Sequence, residues 1–332
     1  MIKKHGCEAH NCIAHNLIIH NRIRKKENMT LSQENNPFAC VVKKIDPEAM
    51  LLDSHALKGG VSAQVTVLEA VLASGERKKM IVRRHGANDL RRNPHIAADE
   101  FRLLRALHAA GLAVPEPYYL DQSDEIFASP YVVIEYVEGE TIFAPAQAPA
   151  LVPQMATHLA SIHALDPARL DLAFLPNMQQ TWNERFQTRP ATLDDTLSEG
   201  RIRDALAAVW PPHQRNPPAL LHGDFWPGNL LWRDGQLAAI VDWEDAALGD
   251  PLCDLANSRL EILWAFGREA MEEFTRCYQA LRTIDYSDLP VWDLCAALRP
   301  AGQLSTWIAD PDKERKLQAS HHWFITRALS QL

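Results

Sequence analysis

The 332-residue chain has no apolar run approaching the roughly 20 residues that cross a bilayer, so a helical membrane span is not expected. It has no cysteine framework either. Cys7, Cys12, Cys40, Cys253, Cys277 and Cys295 are scattered, a pattern that fits a reducing compartment better than a set of disulfides. Nor is there an excess of positive charge, because the net charge of −8 argues against a general nucleic-acid binder. No G-x-G-x-x-G appears anywhere, which removes the simplest dinucleotide signature. What is present is ample apolar material, 47% of residues, enough to build a core for one large or two medium domains. A cytoplasmic protein is expected.

The first 28 residues differ from the rest. Lys3, Lys4, Arg22, Arg24, Lys25 and Lys26 outweigh Glu8 and Glu27, and His5, His10, His15 and His20 recur every five residues with Cys7 and Cys12 between them. Five-residue steps follow neither a helix face nor the usual zinc spacings. The apolar stretch 16–19 is too short for a signal peptide. Met29, followed by polar residues, resembles a natural start. Residues 1–37 are therefore expected to be disordered or to form an upstream-translated or added extension.

The chemistry concentrates between Leu220 and Asp254, in LLHGDFWPGNLLWRDGQLAAIVDWEDAALGDPLCD. The polar loop His222-Gly223-Asp224-Phe225-Trp226-Pro227-Gly228-Asn229 lies between apolar runs. Asp234-Gly235 suits a tight hairpin, because both central positions tolerate positive φ. Strand, loop, strand, turn and strand are expected to gather Asp224, Asn229 and Asp242 at neighbouring ends of one small sheet. Two carboxylates and an amide suit a hard cation such as Mg²⁺, and they leave one acid free to act on a hydroxyl.

The Asp-to-Asn spacing of five matches the kinase catalytic loop H-R-D-L-x-x-x-N, and Asp242 stands where the Asp of D-F-G would. With H-G-D, D-W-E and the downstream G-D-P-x-x-D-L-A, the segment resembles the aminoglycoside phosphotransferase family, which includes choline-, homoserine- and fructosamine-kinase-like enzymes. The resemblance is specific from Leu220 to Ala256 and weaker from about Gly59 onward. It implies an α+β, two-lobed protein-kinase-like fold, with a small β-rich N-lobe over residues 38–138 and a larger, mostly helical C-lobe over 139–332. It also implies ATP or GTP as co-substrate, with Mg²⁺.

Within the small lobe, 65–72 and 79–83 read as strands flanking a Ser74-Gly75-Glu76 turn, in a stretch that reads as strand-rich from Phe38. The small-residue loop around Gly59, Gly60 and Ser62 would lie over nucleotide phosphates in a kinase-like fold; taken alone it reads equally well as an ordinary turn. Arg83 stands where a kinase usually has Lys and would reach phosphate oxygens as a planar fork. The alternative is a surface arginine at a strand end. Glu100 matches the family's helix-C glutamate and would pair with Arg83, although Glu in a first helical turn is also favoured by the dipole. The β-branched run 131–137 would be the last small-lobe strand and hinge, where Glu135, Tyr136 and Val137 read the nucleotide base.

In the large lobe, 150–165 has helical spacing, and His158 and His163 read as helix-face residues. Asp250-Pro251 gives a helix start; Asp250 and Asp254 read as architectural, and the first can also brace the catalytic loop. Helices are expected over 252–266 and 268–281, then after Pro290 and Pro311. By the resemblance, Asp224 accepts the acceptor's hydroxyl proton, Asn229 and Asp242 hold Mg²⁺, and His222 is a structural hydrogen-bonder. Trp226, inside the loop, is a candidate substrate wall. Only seven residues separate Asp242 from Asp250, too few for the activation segment with which a protein kinase docks a peptide. A small-molecule hydroxyl acceptor follows, with no nucleic acid, membrane or obligatory protein partner. The rival readings are a catalytically idle nucleotide-binding protein of the same fold and a metal hydrolase, which would want further His or Asp ligands nearby.

Overall fold

The computed structural model describes residues 36–57, 63–308 and 310–332. The expectations for residues 1–35, and the loop carrying Gly59, Gly60 and Ser62, lie outside the described residues. Two compact units make up the chain: residues up to Phe101 with Pro117–Tyr136, and Arg102–Glu116 with Val137–Leu332.

The first unit is a five-stranded antiparallel sheet with strand order β1-β2-β3-β5-β4. Its strands are β1 (Met50–Ala56), β2 (Ala63–Val71), β3 (Arg77–His85), β4 (Pro117–Asp121) and β5 (Tyr131–Glu135). The register fixes which residues share a face, since side chains alternate along a strand. Val82 pairs with Val133 and Thr66, while Arg83 pairs with Val132 and Val65. Leu68, Ala70, Met80, Val82, Tyr131 and Val133 thus share one buried cluster with Val41, Val42 and Phe127. Ile81, Arg83 and His85 project to the opposite face.

The stretch from Phe38 begins with a helix, α1 (Pro37–Ile45), where a strand-rich start was expected. Its β-branched Val41 and Val42 favour strands, but the ends decide. Asn36 accepts the Phe38 N–H at 3.0 Å as N-cap, and Pro37 occupies the first turn, where its missing N–H costs nothing. After β3 come a short α2 (Ala87–Arg92) and α3 (Ile96–Ala109), which continues past Phe101 into the second unit. Glu100 lies in the second turn of α3, not its opening.

The second unit is mostly helical. Its elements are α4 (Ala148–His163), α5 (Met178–Gln187), α6 (Glu199–Val209), α7 (Pro251–Phe266), α8 (Arg268–Leu281), α9 (Leu289–Leu298), the short α10 (Leu304–Trp307) and α11 (Pro311–Leu329). All ten residues of α9 are buried, so it is the core helix, and it packs against α6, α7 and α11. One charged pair is sealed in that core. Arg259 of α7 donates from Nε and Nη2 to the two carboxylate oxygens of Asp293 on α9, each at 3.0 Å, and from Nη1 to Thr275 Oγ1 at 2.6 Å. With four short strands added, the architecture is α+β.

Truncating one member of the sealed pair leaves the other charge without its partner. Asp293→Ala is expected to destabilise the protein by about 3–5 kcal/mol, measured by urea unfolding. A loss under 1 kcal/mol would show that Arg259 finds water or another acceptor.

Candidate active site

Four strands frame the polar loop: β6 (Ala219–Leu221), β7 (Leu230–Arg233), β8 (Gln236–Ile240) and β9 (Ala247–Gly249). They form two separate two-stranded ladders, β6 with β9 and β7 with β8, rather than the single small sheet expected. The reason is local. The loop after β6 must turn through a 3-10 segment, Pro227–Asn229, before β7 begins, so β6 meets β9 instead of its sequence neighbour. The β7–β8 hairpin turns at Asp234 (φ 52°) and Gly235 (φ 74°), both left-handed as the sequence demands.

The loop is held from beneath by α7. Asp254, 1% exposed, accepts the His222 N–H at 2.6 Å and the Gly223 N–H at 2.9 Å. Burial alone would raise this carboxyl, but His163, hydrogen-bonded at 3.4 Å, and the loop N–H group hold it below the usual aspartate range. His163 is fixed in turn by Tyr278, Nδ1 to hydroxyl 2.6 Å. Ser258, one helical turn further along α7, donates to the Phe225 carbonyl at 2.8 Å. The loop is therefore anchored by Asp254. Asp250, the residue singled out as a possible brace, accepts from Leu252 N as N-cap of α7 (2.9 Å) and from Asn216 Nδ2 (3.2 Å).

The His222 ring is fully buried, with Nδ1 accepting from the Asp224 N–H at 3.2 Å and Nε2 facing the Val241 carbonyl at 3.1 Å. That geometry assigns the proton to Nε2 and makes His222 a strut between the two halves of the site. Asn229 donates through Nδ2 to the Asp224 carbonyl (2.9 Å) and to Asp224 Oδ2 (3.2 Å), which directs its own Oδ1 away from them. Val241 N donates to the Asn229 carbonyl at 2.9 Å, so Asp242, the next residue, adjoins Asn229. Asp242 itself is left-handed, φ 66°, an unusual conformation for a non-glycine residue at a chain reversal. Trp226 is half-buried at the loop tip, its ring 5.8 Å from that of Phe143.

Several residues that the motif does not contain complete the site. Arg299, just past α9, reaches Gly223 and Asp224, and Asp245 faces the same guanidinium at 3.9 Å. Burial raises the Asp224 carboxyl; Arg299 pulls it down, Asp245 and Asp242 push it up, and the balance lies above the ordinary range. Glu261 on α7 is pushed up to about 7 by burial and by the charge of Asp224. No spacing rule signals Arg299, which lies 75 residues from Asp224.

In the first unit, Arg83 and Glu100 meet, Nη1 to Oε1 3.0 Å, with both side chains buried. His85, two residues along the same strand face, takes the other Glu100 oxygen at 2.8 Å. Burial opposes ionisation of Glu100, but Arg83 and His85 outweigh it and hold its pKa below the usual value. Arg84 faces the other way, bonding Gln64 at 2.5 Å and stacking 4.3 Å over Phe127. Glu135 closes β5, with Tyr136 N donating to the Lys79 carbonyl at 3.4 Å; Val137 begins the second unit.

A half-buried acid in a strut-held loop, an amide and a second acid beside it, and an Arg–Glu pair on an antiparallel sheet define a kinase-like phosphotransferase class of fold. The chain belongs to the phosphotransferase enzyme family (APH), whose sequence model matches residues 56–298. Acyl-CoA dehydrogenase family member 10 of Mus musculus is 29% identical over 200 residues, covering 55% of this chain and 18% of that protein. The Homo sapiens member 11 is 25% identical over 287 residues, covering 74% and 36%. The chain thus spans between about a fifth and a third of the length of these relatives. Viomycin phosphotransferase of Streptomyces vinaceus is 30% identical over 173 residues, covering 48% and 59%. Among solved structures, a Ralstonia eutropha protein classed with the aminoglycoside phosphotransferases superposes with TM-score 0.63 at 16% identity, covering 89% of this chain and 98% of that one. The GDP and kanamycin complex of APH(2")-IIIa gives 0.59 at 18%, covering 87% and 98%. These likenesses establish the two-lobed kinase-like fold. Among the described residues no helix is long and apolar enough to cross a membrane.

Gly223 (φ +82°) sits where a Cβ would strike the Asp245 carbonyl. Gly223→Ala is expected to cost about 1–2 kcal/mol from the left-handed backbone alone, with the carbonyl clash added to it. Gly235→Ala, at φ +74° with open space around it, should lose only the backbone part. Equal losses for the two in thermal unfolding would mean that the loop relaxes away from Asp245.

Proposed function

We propose that the chain transfers the γ-phosphoryl group of ATP or GTP to a hydroxyl of a small molecule. The observation that carries this reading is the contact of Asn229 with Asp224 at 3.2 Å, with Asp242 adjoining through the Val241–Asn229 bond. A proton acceptor and two candidate oxygen ligands thereby adjoin one another, two in the polar loop and one just beyond β8.

The donor set suits Mg²⁺. This ion keeps several waters and takes one or two carboxylates together with substrate phosphates, so a cage of protein ligands is not required. Among the described residues no three His, Cys, Asp or Glu side chains form such a cage. Asp242 and the Asn229 Oδ1 are its proposed ligands, and when bound it neutralises charge on the phosphates. Asp224 aligns the acceptor hydroxyl and takes its proton as the hydroxyl oxygen bonds to the γ-phosphorus. The bond to the β-γ bridging oxygen breaks, and the nucleoside diphosphate leaves with that oxygen. The raised carboxyl of Asp224 makes it a better proton acceptor than an ordinary aspartate. Arg83, oriented by Glu100 and His85, is the proposed contact to the nucleotide phosphates, as a fork in place of an ammonium. Glu135, Tyr136 and Val137 are the proposed readers of the base, and Trp226 a wall of the acceptor pocket.

The acceptor is sought by ADP or GDP release across a panel of hydroxyl compounds that includes kanamycin, hygromycin B and viomycin. No nucleotide turnover with any member, despite Mg-dependent nucleotide binding, would favour an idle binding protein. The two acids separate the roles. Asp242→Ala should abolish both turnover and Mg-dependent nucleotide binding. Asp224→Ala should keep binding within a few-fold while transfer falls by about 10²–10⁴. Calorimetry and coupled ADP release on the same two proteins check this; equal loss of binding in both would refute the division.

A further inference from the structure

We propose that Arg299 is the positioning residue of the Asp224 carboxylate, its guanidinium fixing the rotation of that group against the acceptor hydroxyl. The proposal rests on Asp224 being the base.

Arg299 follows the last turn of α9, the most buried helix of the second unit, so its backbone is set by the core. Nη1 donates to the Gly223 carbonyl at 2.5 Å, and Nη2 donates to Asp224 Oδ1 at 3.2 Å. The other carboxylate oxygen, Oδ2, is taken by Asn229 Nδ2 at 3.2 Å. A carboxylate held at one oxygen turns about its Cβ–Cγ bond; one held at both does not. Each oxygen keeps a second lone pair, so the group is still able to receive the hydroxyl proton from one fixed direction.

Arg299 is not what holds the loop together. The backbone is secured by Asp254 at His222 and Gly223, and by Ser258 at Phe225. Its removal therefore frees the carboxylate while leaving those anchors in place. The guanidinium is itself held from a second side by Asp245 at 3.9 Å, and the charges of Asp224 and Asp245 help to outweigh the burial that disfavours its own. Only a fork bridges a carbonyl and the next residue's carboxylate at once; a lysine ammonium is a point charge on a flexible stem.

The test compares wild type, Asp224→Asn, Arg299→Ala and Arg299→Lys, using Mg·ATP with water as the acceptor and Mg·ADP binding by calorimetry. Arg299→Ala should lower the single-turnover rate of ADP formation by about 10–100-fold, the scale of a misplaced reacting group. Its Mg·ADP affinity should stay within about threefold of wild type, since a positioning defect leaves ground-state binding intact. Arg299→Lys should recover the rate only in part, and low-millimolar guanidinium should raise the Arg299→Ala rate. A crystal structure of Arg299→Ala should show the Asp224 carboxylate turned from its wild-type rotamer within an unchanged loop. An unchanged rotamer, or a rate within twofold of wild type while Asp224→Asn is inactive, overturns the proposal and leaves the base assignment standing. An Asp224→Asn rate equal to wild type removes the base, and the proposal with it.

Discussion

The second unit depends on one buried carboxylate receiving two consecutive backbone N–H groups. His222 and Gly223 reverse the chain between β6 and the polar loop, where no strand or helix is available to take their hydrogen bonds. An unpaired buried N–H costs about 1–3 kcal/mol, so this reversal requires a local acceptor, and Asp254 supplies both bonds. Its own charge is then kept in the core by His163, and His163 by Tyr278. One chain of polar contacts thus runs from α8 through α4 and α7 to the loop that carries Asp224. The loop is irregular in backbone yet tied to the helix beneath it at three points, His222, Gly223 and Phe225.

The same logic explains where the charges lie. Asp224, Asp242 and Asp245 crowd one end of the two ladders, and like charges that close oppose one another's ionisation. Arg299 offsets part of this, yet the Asp224 carboxyl remains above its ordinary range. A surplus of negative charge there favours whatever cation the site recruits. In the first unit the arrangement differs: Arg83 and His85 share a single glutamate, which ties two residues of one strand face to α3.

How legible this was depended on the range of the interaction. Asp250-Pro251 and Gly267 delimit α7 and α8 by local chemistry, and the helices begin and end where those residues place them. The Asp234-Gly235 turn is equally local. Ile81-Val82-Arg83 marks the strand face correctly because alternation is a two-residue rule. By contrast, α1 contains a strand-like Val-Val pair, and its helix rests on a cap and on packing against a sheet formed later in the chain. The expected single sheet around the loop became two ladders because strand partnering is decided by the loop's path, which composition does not encode.

The residues that sequence reasoning passed over share one property: their partners are distant in the chain. His163 read as a helix-face residue because its helical spacing is regular, and only the fold brings Asp254, 91 residues away, to its ring. His85 was hidden beside Arg83, where a basic strand end drew attention to the arginine alone. Arg299 closes a helix in Leu-Arg-Pro, a sequence that resembles any helix end, yet its guanidinium touches the central aspartate. The H-G-D and D-W-E motifs therefore name the groups to which the chemistry is proposed to fall, and the helical core supplies those that hold them still. In a loop whose backbone is tied by one buried acid, the surroundings of the Asp224 carboxylate are a tertiary property, set in part by a side chain that no spacing within the motif could have revealed.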